Sequence, residues 1–330
     1  MFGFGRFSSS VFEGKVVLIT GGSRGLGLCL ARAFARRKAK VFICARDRQE
    51  LEWAREKLAQ EKLTIEILTC DVSVREEVVA VLKEVENRAR AVDVLVNNAG
   101  IIEVGPWKTH GVEGLEEVLN TNFWGAVHAT EELLRTMSPE TRKWVVNITS
   151  IGGVISAPHL LPYTAAKFAL VGYSKGLSVE HHPKKVSVTT VIPGLMRTGS
   201  FVNAIFKGRH WKEFRWFSIS SVLPLLSMNA QTVADRIVKA AERSKPLLIP
   251  GLPNKVLVRL SGMVPGLTLR TLRLANRLIL PQPPTSQGET ETGGDLLGSG
   301  SGATRSLHEH WGARFVEAGQ PSSTIRHEGN

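Results

Sequence analysis

The stretch Thr20-Gly21-Gly22-Ser23-Arg24-Gly25-Leu26-Gly27 decides the fold of this chain. It follows the apolar run Val16 to Ile19 and opens a helical pattern at Leu26. Glycines at 21, 25 and 27 have separate uses in such a place. They allow the tight turn, admit a pyrophosphate close to the main chain, and let the new helix pack near the sheet. The helix N-terminus then offers N–H groups and a partial positive charge to phosphates. A glycine-rich turn is a weak signal by itself; its place after the first strand of a series makes it a dinucleotide loop.

Outward from the loop the alternation continues. Strands are predicted at Val16 to Thr20, Lys40 to Ala45, Thr64 to Thr69, Val92 to Asn97, Lys143 to Thr149 and Val186 to Ile192. Helices are predicted at Leu26 to Arg37, Arg48 to Gln60, Arg75 to Asn87, Gly111 to Arg135 and Tyr163 to Glu180. Strands alternating with helices require right-handed crossovers and a parallel sheet covered on both faces. The expected class is α/β: a doubly wound parallel sheet, the Rossmann fold, in a single large domain with a C-terminal helical extension.

Composition excludes several alternatives. The 330 residues carry 42 Lys+Arg against 30 Asp+Glu, a net charge of +12, and a hydrophobic fraction of 43% that is enough for a buried core. Cys29, Cys44 and Cys70 are too few and too apolar in setting for a disulfide scaffold or zinc cluster and fit a reducing compartment. No apolar run is long enough for a transmembrane helix, and the first residues do not read as a secretory signal. The basic balance finds no zinc finger, recognition helix or aromatic platform to support nucleic-acid binding. His181 and His182 are adjacent and share no helix face, and the other histidines form no ligand motif, so no metal is expected. A cytoplasmic protein, with membrane association left open, is the reading.

The loop spacing is TGxxxGxG, and four further motifs follow in order: Asn97-Asn98-Ala99-Gly100; Asn122 within Asn120-Thr121-Asn122-Phe123-Trp124-Gly125; Ser150, then Tyr163 and Lys167; and Pro193-Gly194 with Thr198. Together they resemble the short-chain dehydrogenase/reductase family over roughly residues 14 to 250. The resemblance implies an oxidoreductase that transfers a hydride between a nicotinamide cofactor and a carbonyl/alcohol pair. It implies cofactor contacts at Gly21, Ser23, Arg24, Gly25, Leu26, Gly27, Asp71, Val72, Asn98, Ala99, Gly100, Pro193, Gly194 and Thr198. It also implies a homodimer or homotetramer paired through the helices 111–135 and 163–180.

Ala45 stands where an NAD enzyme wants a carboxylate for the ribose 2′-OH, and Arg46 follows it. Asp47 comes too late and suits a helix cap. Arg46 and Arg24 can bracket a 2′-phosphate, which favours NADP(H). Asp71 reads both as an adenine contact and as a turn or helix cap.

Tyr163 and Lys167 are spaced i, i+4 and share a helix face. A nearby ammonium is expected to lower the phenol pKa and ready Tyr163 for proton transfer. Ser150 would orient the substrate oxygen, and Lys167 would also hold the nicotinamide ribose hydroxyls. Asn122 would, as the resemblance implies, anchor a water linking Lys167 to solvent.

Four regions are expected: an N-terminal segment 1–14, a catalytic domain 15–252 with a lid at 195–230, a basic amphipathic extension 253–280, and a disordered tail 281–330. The lid holds Phe201, Phe206, Trp211, Phe214, Trp216 and Phe217. These read either as the wall of a pocket for a bulky apolar substrate (a lipid-like ketone, steroid or 3-oxoacyl group) or as an ordinary packing stripe. The extension carries Lys255, Arg259, Arg270, Arg273 and Arg277 and no acid, interleaved with leucines and divided at Pro265-Gly266. It reads either as a surface for an anionic membrane or partner, or as helices packed on the core. The contrasting function is a catalytically silent NADP(H)-binding regulatory or membrane-peripheral scaffold, against which the intact Ser150, Tyr163, Lys167 and Asn122 argue.

Overall fold

A computed structural model describes residues 10–222, 227–281 and 290–299. Its first half runs β1 (Val16–Thr20), α1 (Gly25–Ala35), β2 (Lys40–Ala45), α2 (Arg48–Gln60), β3 (Ile65–Thr69), α3 (Arg75–Arg88) and β4 (Val94–Asn97). There follow the short strand β5 (Glu103–Val104), α4 (Gly111–Leu119), a π-helical turn at Asn120–Trp124, α5 (Gly125–Arg135) and β6 (Lys143–Ile148). Next come α6 (Leu161–Glu180), β7 (Val186–Val191), β8 (Met196–Arg197), β9 (Ile205–Phe206), α7 (His210–Val222), β10 (Met228–Asn229), α8 (Ala230–Glu242) and β11 (Leu247–Leu248). The described chain closes with α9 (Leu252–Met263), α10 (Pro265–Leu278), β12 (Glu291–Thr292) and α11 (Gly293–Ser299).

The central sheet has seven strands in the order β11-β7-β6-β4-β1-β2-β3, and every neighbouring pair is parallel. β1, β4, β6 and β7 are buried at every residue, and apart from Asn97, Lys143, Asn147 and Ser187 they are filled by apolar or β-branched side chains. One face packs against α1, α2 and α8, the other against α3, α5 and α6. The chain steps outward from β1 through β2 to β3, then returns to β4 on the other side of β1. That reversal opens a crevice beyond the carboxyl ends of β1 and β4, where ligands bind in such sheets.

Local signals explain the element ends. Asp47 caps α2 as expected, accepting hydrogen bonds from the Gln49 and Glu50 amides at 2.8 and 3.1 Å. Leu51, Ala54 and Leu58 then bury one stripe of that helix. The predicted helix at 111–135 is continuous but carries the π-helical turn in its middle. The strand Leu247–Leu248 and helix α8 lay outside the predicted set.

The extension divides at Pro265 into α9 and α10, as its Pro-Gly pair predicts. In the tail, residues 290–299 depart from the expected disorder. β12 pairs antiparallel with β9, and Leu296 is fully buried against the lid. Apolar burial at this one leucine, together with backbone pairing, orders a segment whose composition alone looks structureless. The other residues of the tail and of the N-terminal segment fall largely outside the described set. No helix among the described residues is long and apolar enough to cross a membrane.

Candidate active site

The glycine loop lies at the carboxyl end of β1. Gly21 and Gly25 take φ of +61° and +55°, conformations that L side chains rarely adopt. A Cβ on Gly27 would stand 2.1 Å from the Gly21 carbonyl oxygen, so only glycine lets α1 pass so close to the turn. The Asn98 amide secures the same turn, donating to the carbonyls of Thr20 and Gly21 at 3.0 and 2.8 Å. The Thr20 hydroxyl accepts from the amides of Asn98 and Ala99 at 3.0 and 3.1 Å. α1 starts without a side-chain cap and with no acid in its first turn, so its N-terminal N–H groups fit a phosphate. Leu26 is buried beneath them.

At the outer end of the crevice each candidate arginine already faces a carboxylate. Arg24 bonds Glu50, a residue buried in the first turn of α2, and the Ser23 hydroxyl donates to the same carboxylate at 2.9 Å. Arg46 lies 3.8 Å from Asp71, and this pair is looser and half-exposed. Asp71 takes the turn role and not the helix-cap one, accepting from the amide and hydroxyl of Ser73 at 2.9 and 2.7 Å, while α3 begins after Val74 with no side-chain cap. Val72 packs beneath Gly125, where a Cβ would come within 2.8 Å of it.

The fold brings Ser150, Tyr163, Lys167 and Asn122 together at the inner end. Ser150 lies two residues beyond β6 and accepts from the Gly152 amide at 3.0 Å. Gly152 lies between Ser150 and Tyr163, since a Cβ there would stand 3.5 Å from the Ser150 hydroxyl and 3.3 Å from the tyrosine ring. Lys167 is buried, donates to the Ile148 carbonyl at 3.1 Å, and has its ammonium 5.7 Å from the centre of the Tyr163 ring. Gly100 meets both Asn122 and Lys167: a Cβ there would lie 3.1 Å from Asn122 Oδ1 and 3.6 Å from Lys167 Nζ. The Asn122 amide is committed to Ile101, accepting from its N–H at 2.7 Å and donating to its carbonyl at 2.9 Å. It sits in the π-helical turn, a departure from regular helix that recurs at functional sites.

Electrostatics correct one expectation. Burial pushes the Tyr163 phenol above its usual value, and the hydrogen bond with Ser150 only partly opposes this. The expected lowering by Lys167 does not appear: burial dominates at the phenol, and burial also brings the Lys167 ammonium down to about 8.

Pro193 follows β7 and its carbonyl accepts from the Ile151 amide at 2.8 Å, tying the two loops of the site. Thr198 reaches the glycine loop, where a Cβ on Gly25 would lie 3.3 Å from its own. Gly194 lies under Asn254 of α9, whose side-chain nitrogen would be 2.4 Å from a Cβ at 194.

The lid aromatics resolve in favour of packing. Phe201, Phe206, Phe214 and Phe217 are buried edge-on against one another with Val104, Ala204 and Leu296. Two buried glutamates that the sequence reading missed hold this unit. Glu103 meets His110 Nδ1 at 2.5 Å and Lys207 at 2.8 Å, and Glu213 meets His159 at 2.9 Å. Burial raises the Glu103 carboxyl, but the bonds from His110 and Lys207 outweigh it and leave it below the usual range. Sequence spacing offered no signal for either pair; an acid flanked by aromatics, as at Phe214, is the nearest to one.

Comparison with known proteins is consistent with this geometry. Residues 15–206 match the family described as short chain dehydrogenase. The dehydrogenase/reductase SDR family member 7B of Xenopus laevis is 30% identical over 267 residues, which cover 79% of this chain and 81% of that one. A 3-ketodihydrosphingosine reductase of Bacteroides thetaiotaomicron is 34% identical over 185 residues, covering 56% of this chain and 65% of that one. Among solved structures, a variant of the actinorhodin polyketide ketoreductase with NADPH superposes with a TM-score of 0.63 at 27% identity, over 72% of this chain and 95% of that one.

Proposed function

The chain belongs to the short chain dehydrogenase family, and on that premise we propose that it is an NADP(H)-dependent oxidoreductase acting on a carbonyl/alcohol pair of a bulky apolar molecule. The convergence of Ser150, Tyr163 and Lys167 on the inner end of a phosphate-fitting crevice carries this reading. Gly21, Ser23, Gly25, Leu26 and Gly27 would hold the pyrophosphate, with Asp71, Val72, Asn98, Ala99 and Gly100 along the adenosine and ribose. Pro193, Gly194 and Thr198 would border the nicotinamide. Arg46, backed by Arg24, would meet the 2′-phosphate. The NADPH in the actinorhodin ketoreductase structure and the keto-lipid named for the Bacteroides relative support the cofactor and the substrate class.

When bound, the cofactor supplies the hydride that reduces the carbonyl carbon, or accepts it in reverse. In the reductive direction Tyr163 gives its phenolic proton to the carbonyl oxygen, so C=O becomes CH–OH. Burial keeps that proton in place at neutral pH, which suits a donor. Ser150 hydrogen-bonds the same oxygen and orients it. Lys167 stabilises the phenolate left behind and holds the ribose hydroxyls. The Asn122 side chain is fixed by Ile101, so we assign the relay water to its main chain.

The proposed partners are this small molecule, a second copy of the chain in a homodimer or homotetramer, and a membrane surface met from the cytoplasm through 253–280. Exposed Trp124, Phe168 and Val179 on the helices expected to pair support the oligomer. A screen of ketones and alcohols followed by NADPH absorbance tests the function. Oxidation of NADPH with a ketone, faster than that of NADH, is expected. Binding of neither cofactor would overturn the reading.

A further inference from the structure

The helices α9 and α10 contain no buried residue. On α9, Leu252, Val256, Leu260 and Met263 are exposed at 71, 46, 51 and 76%. Their spacing of i, i+4, i+8 and i+11 lines them on one face, opposite the side of Asn254, Val258 and Ser261, which are partly covered. On α10, Leu267, Leu274 and Leu278 form a second stripe, exposed at 62, 57 and 70%. Lys255 and Arg259 flank the first stripe by helical position, and Arg270, Arg273 and Arg277 flank the second. An apolar stripe beside a cationic one is the pattern of a helix lying in a lipid interface.

We infer that α9 and α10 seat the protein on an anionic bilayer with the mouth of the catalytic crevice against the lipid, so that the substrate is a carbonyl or alcohol dissolved in the membrane. The substrate part rests on the oxidoreductase reading; the docking does not.

Two observations choose the bilayer over other occupants. A second copy in a twofold contact would set this patch against itself, and residues 253–280 hold five cations and no acid to pair with them. The tail 281–330, with six acids against three arginines, is the other candidate, but its described part, 290–299, lies on the lid through β9 and Phe201. Orientation follows from the join between the extension and the crevice. Asn254, in the first turn of α9, packs on Gly194 beside the inner end of the crevice and donates to the Pro250 carbonyl at 2.9 Å. Met228 packs on Gly251 just ahead of it. The extension therefore begins at the crevice rim.

Co-sedimentation of the full chain with phosphatidylcholine vesicles, with and without phosphatidylserine, tests the docking without any turnover. Binding to the serine-containing vesicles at low salt is expected, weakening as salt screens the charges. The combined variant Arg259→Glu, Arg270→Glu, Arg273→Glu should bind them about a hundredfold more weakly. The variant Leu252→Ser, Leu260→Ser, Leu267→Ser should also lose binding; all six positions are exposed, and circular dichroism checks the fold. No binding by the wild type at low salt overturns the proposal. So does a leucine variant that turns a dimer into a monomer while still binding vesicles, since the patch would then join copies of the chain. A long-chain ketone in serine-containing vesicles should be reduced more slowly by the arginine variant, and a short water-soluble ketone equally by both. Equal rates on both ketones overturn the orientation. Vesicle binding with no turnover of any ketone would count against the oxidoreductase reading and leave the docking standing.

Discussion

The Nδ1 atom of His159 lies 2.9 Å from both carboxylate oxygens of Glu213, and the two side chains are 7 and 0% exposed. The Trp216 indole donates to the same carboxylate at 2.7 Å. This contact joins the lid helix α7 to the loop that enters α6, four residues before Tyr163. His159 itself takes φ of +61°, a left-handed conformation unusual for a residue with a side chain. On the other side of the lid, Lys207 is bound to Glu103. The segment 201–217 is therefore fixed to the loop entering the helix that carries Tyr163 by a buried carboxylate–imidazole contact, in addition to its aromatic packing.

Replacing Glu213 by Gln keeps the shape and removes the charge. Hydrogen bonds to charged groups contribute about 1.5–3 kcal/mol, so the lid should dock less firmly. KM for the substrate is expected to rise about tenfold, with kcat changed by less than about threefold. Steady-state kinetics beside a thermal melt make the check. A lower melting temperature with KM unchanged would mean that the contact is structural alone.

Tyr163→Phe removes the transferable proton and little else. Turnover should fall by about 10²–10⁴-fold while NADPH still binds. Activity within a few fold of wild type on any reduced ketone would remove Tyr163 from the chemistry.

The two arginines should differ in their effect on cofactor choice. Arg24 is engaged by the buried Glu50, whereas Arg46 is only 3.8 Å from a half-exposed partner and can turn to an anion. Arg46→Ala is expected to weaken NADPH binding by about 1–3 kcal/mol, with little change for NADH. Arg24→Ala should cost less. Fluorescence titration of both cofactors against the three proteins decides it, and a wild type that prefers NADH would end the NADP assignment.

Lys167 carries a pKa of about 8 in the cofactor-free protein, depressed by burial. Below pH 8 the group is an ammonium and can hold the ribose hydroxyls; above it the charge is lost. Cofactor affinity should be flat from pH 6 to about 8 and fall beyond it. The bend should move to higher pH once the cofactor is bound, since binding favours the charged form. An affinity independent of pH up to 10 would show that the ammonium does not contribute.

Several features were legible in the sequence because they depend on neighbours along the chain. The turn after β1, the cap at Asp47, the break at Pro265 and the shared face of Tyr163 and Lys167 follow from backbone conformation and helical period. The order of strands and helices required the doubly wound sheet, and with it the crevice at the reversal beside β1. The tertiary structure decided the rest. Glu50 reaches Arg24 across 26 residues, and Glu213 reaches His159 across 54. Leu296 completes the lid core from a tail that looks unstructured by composition. Whether leucines are buried or exposed is likewise invisible in the pattern: the same spacing serves a core helix and α9. The direction of the Tyr163 shift reversed for the same physical reason. Desolvation depends on how much protein surrounds a group, and only the packing of separate elements determines that.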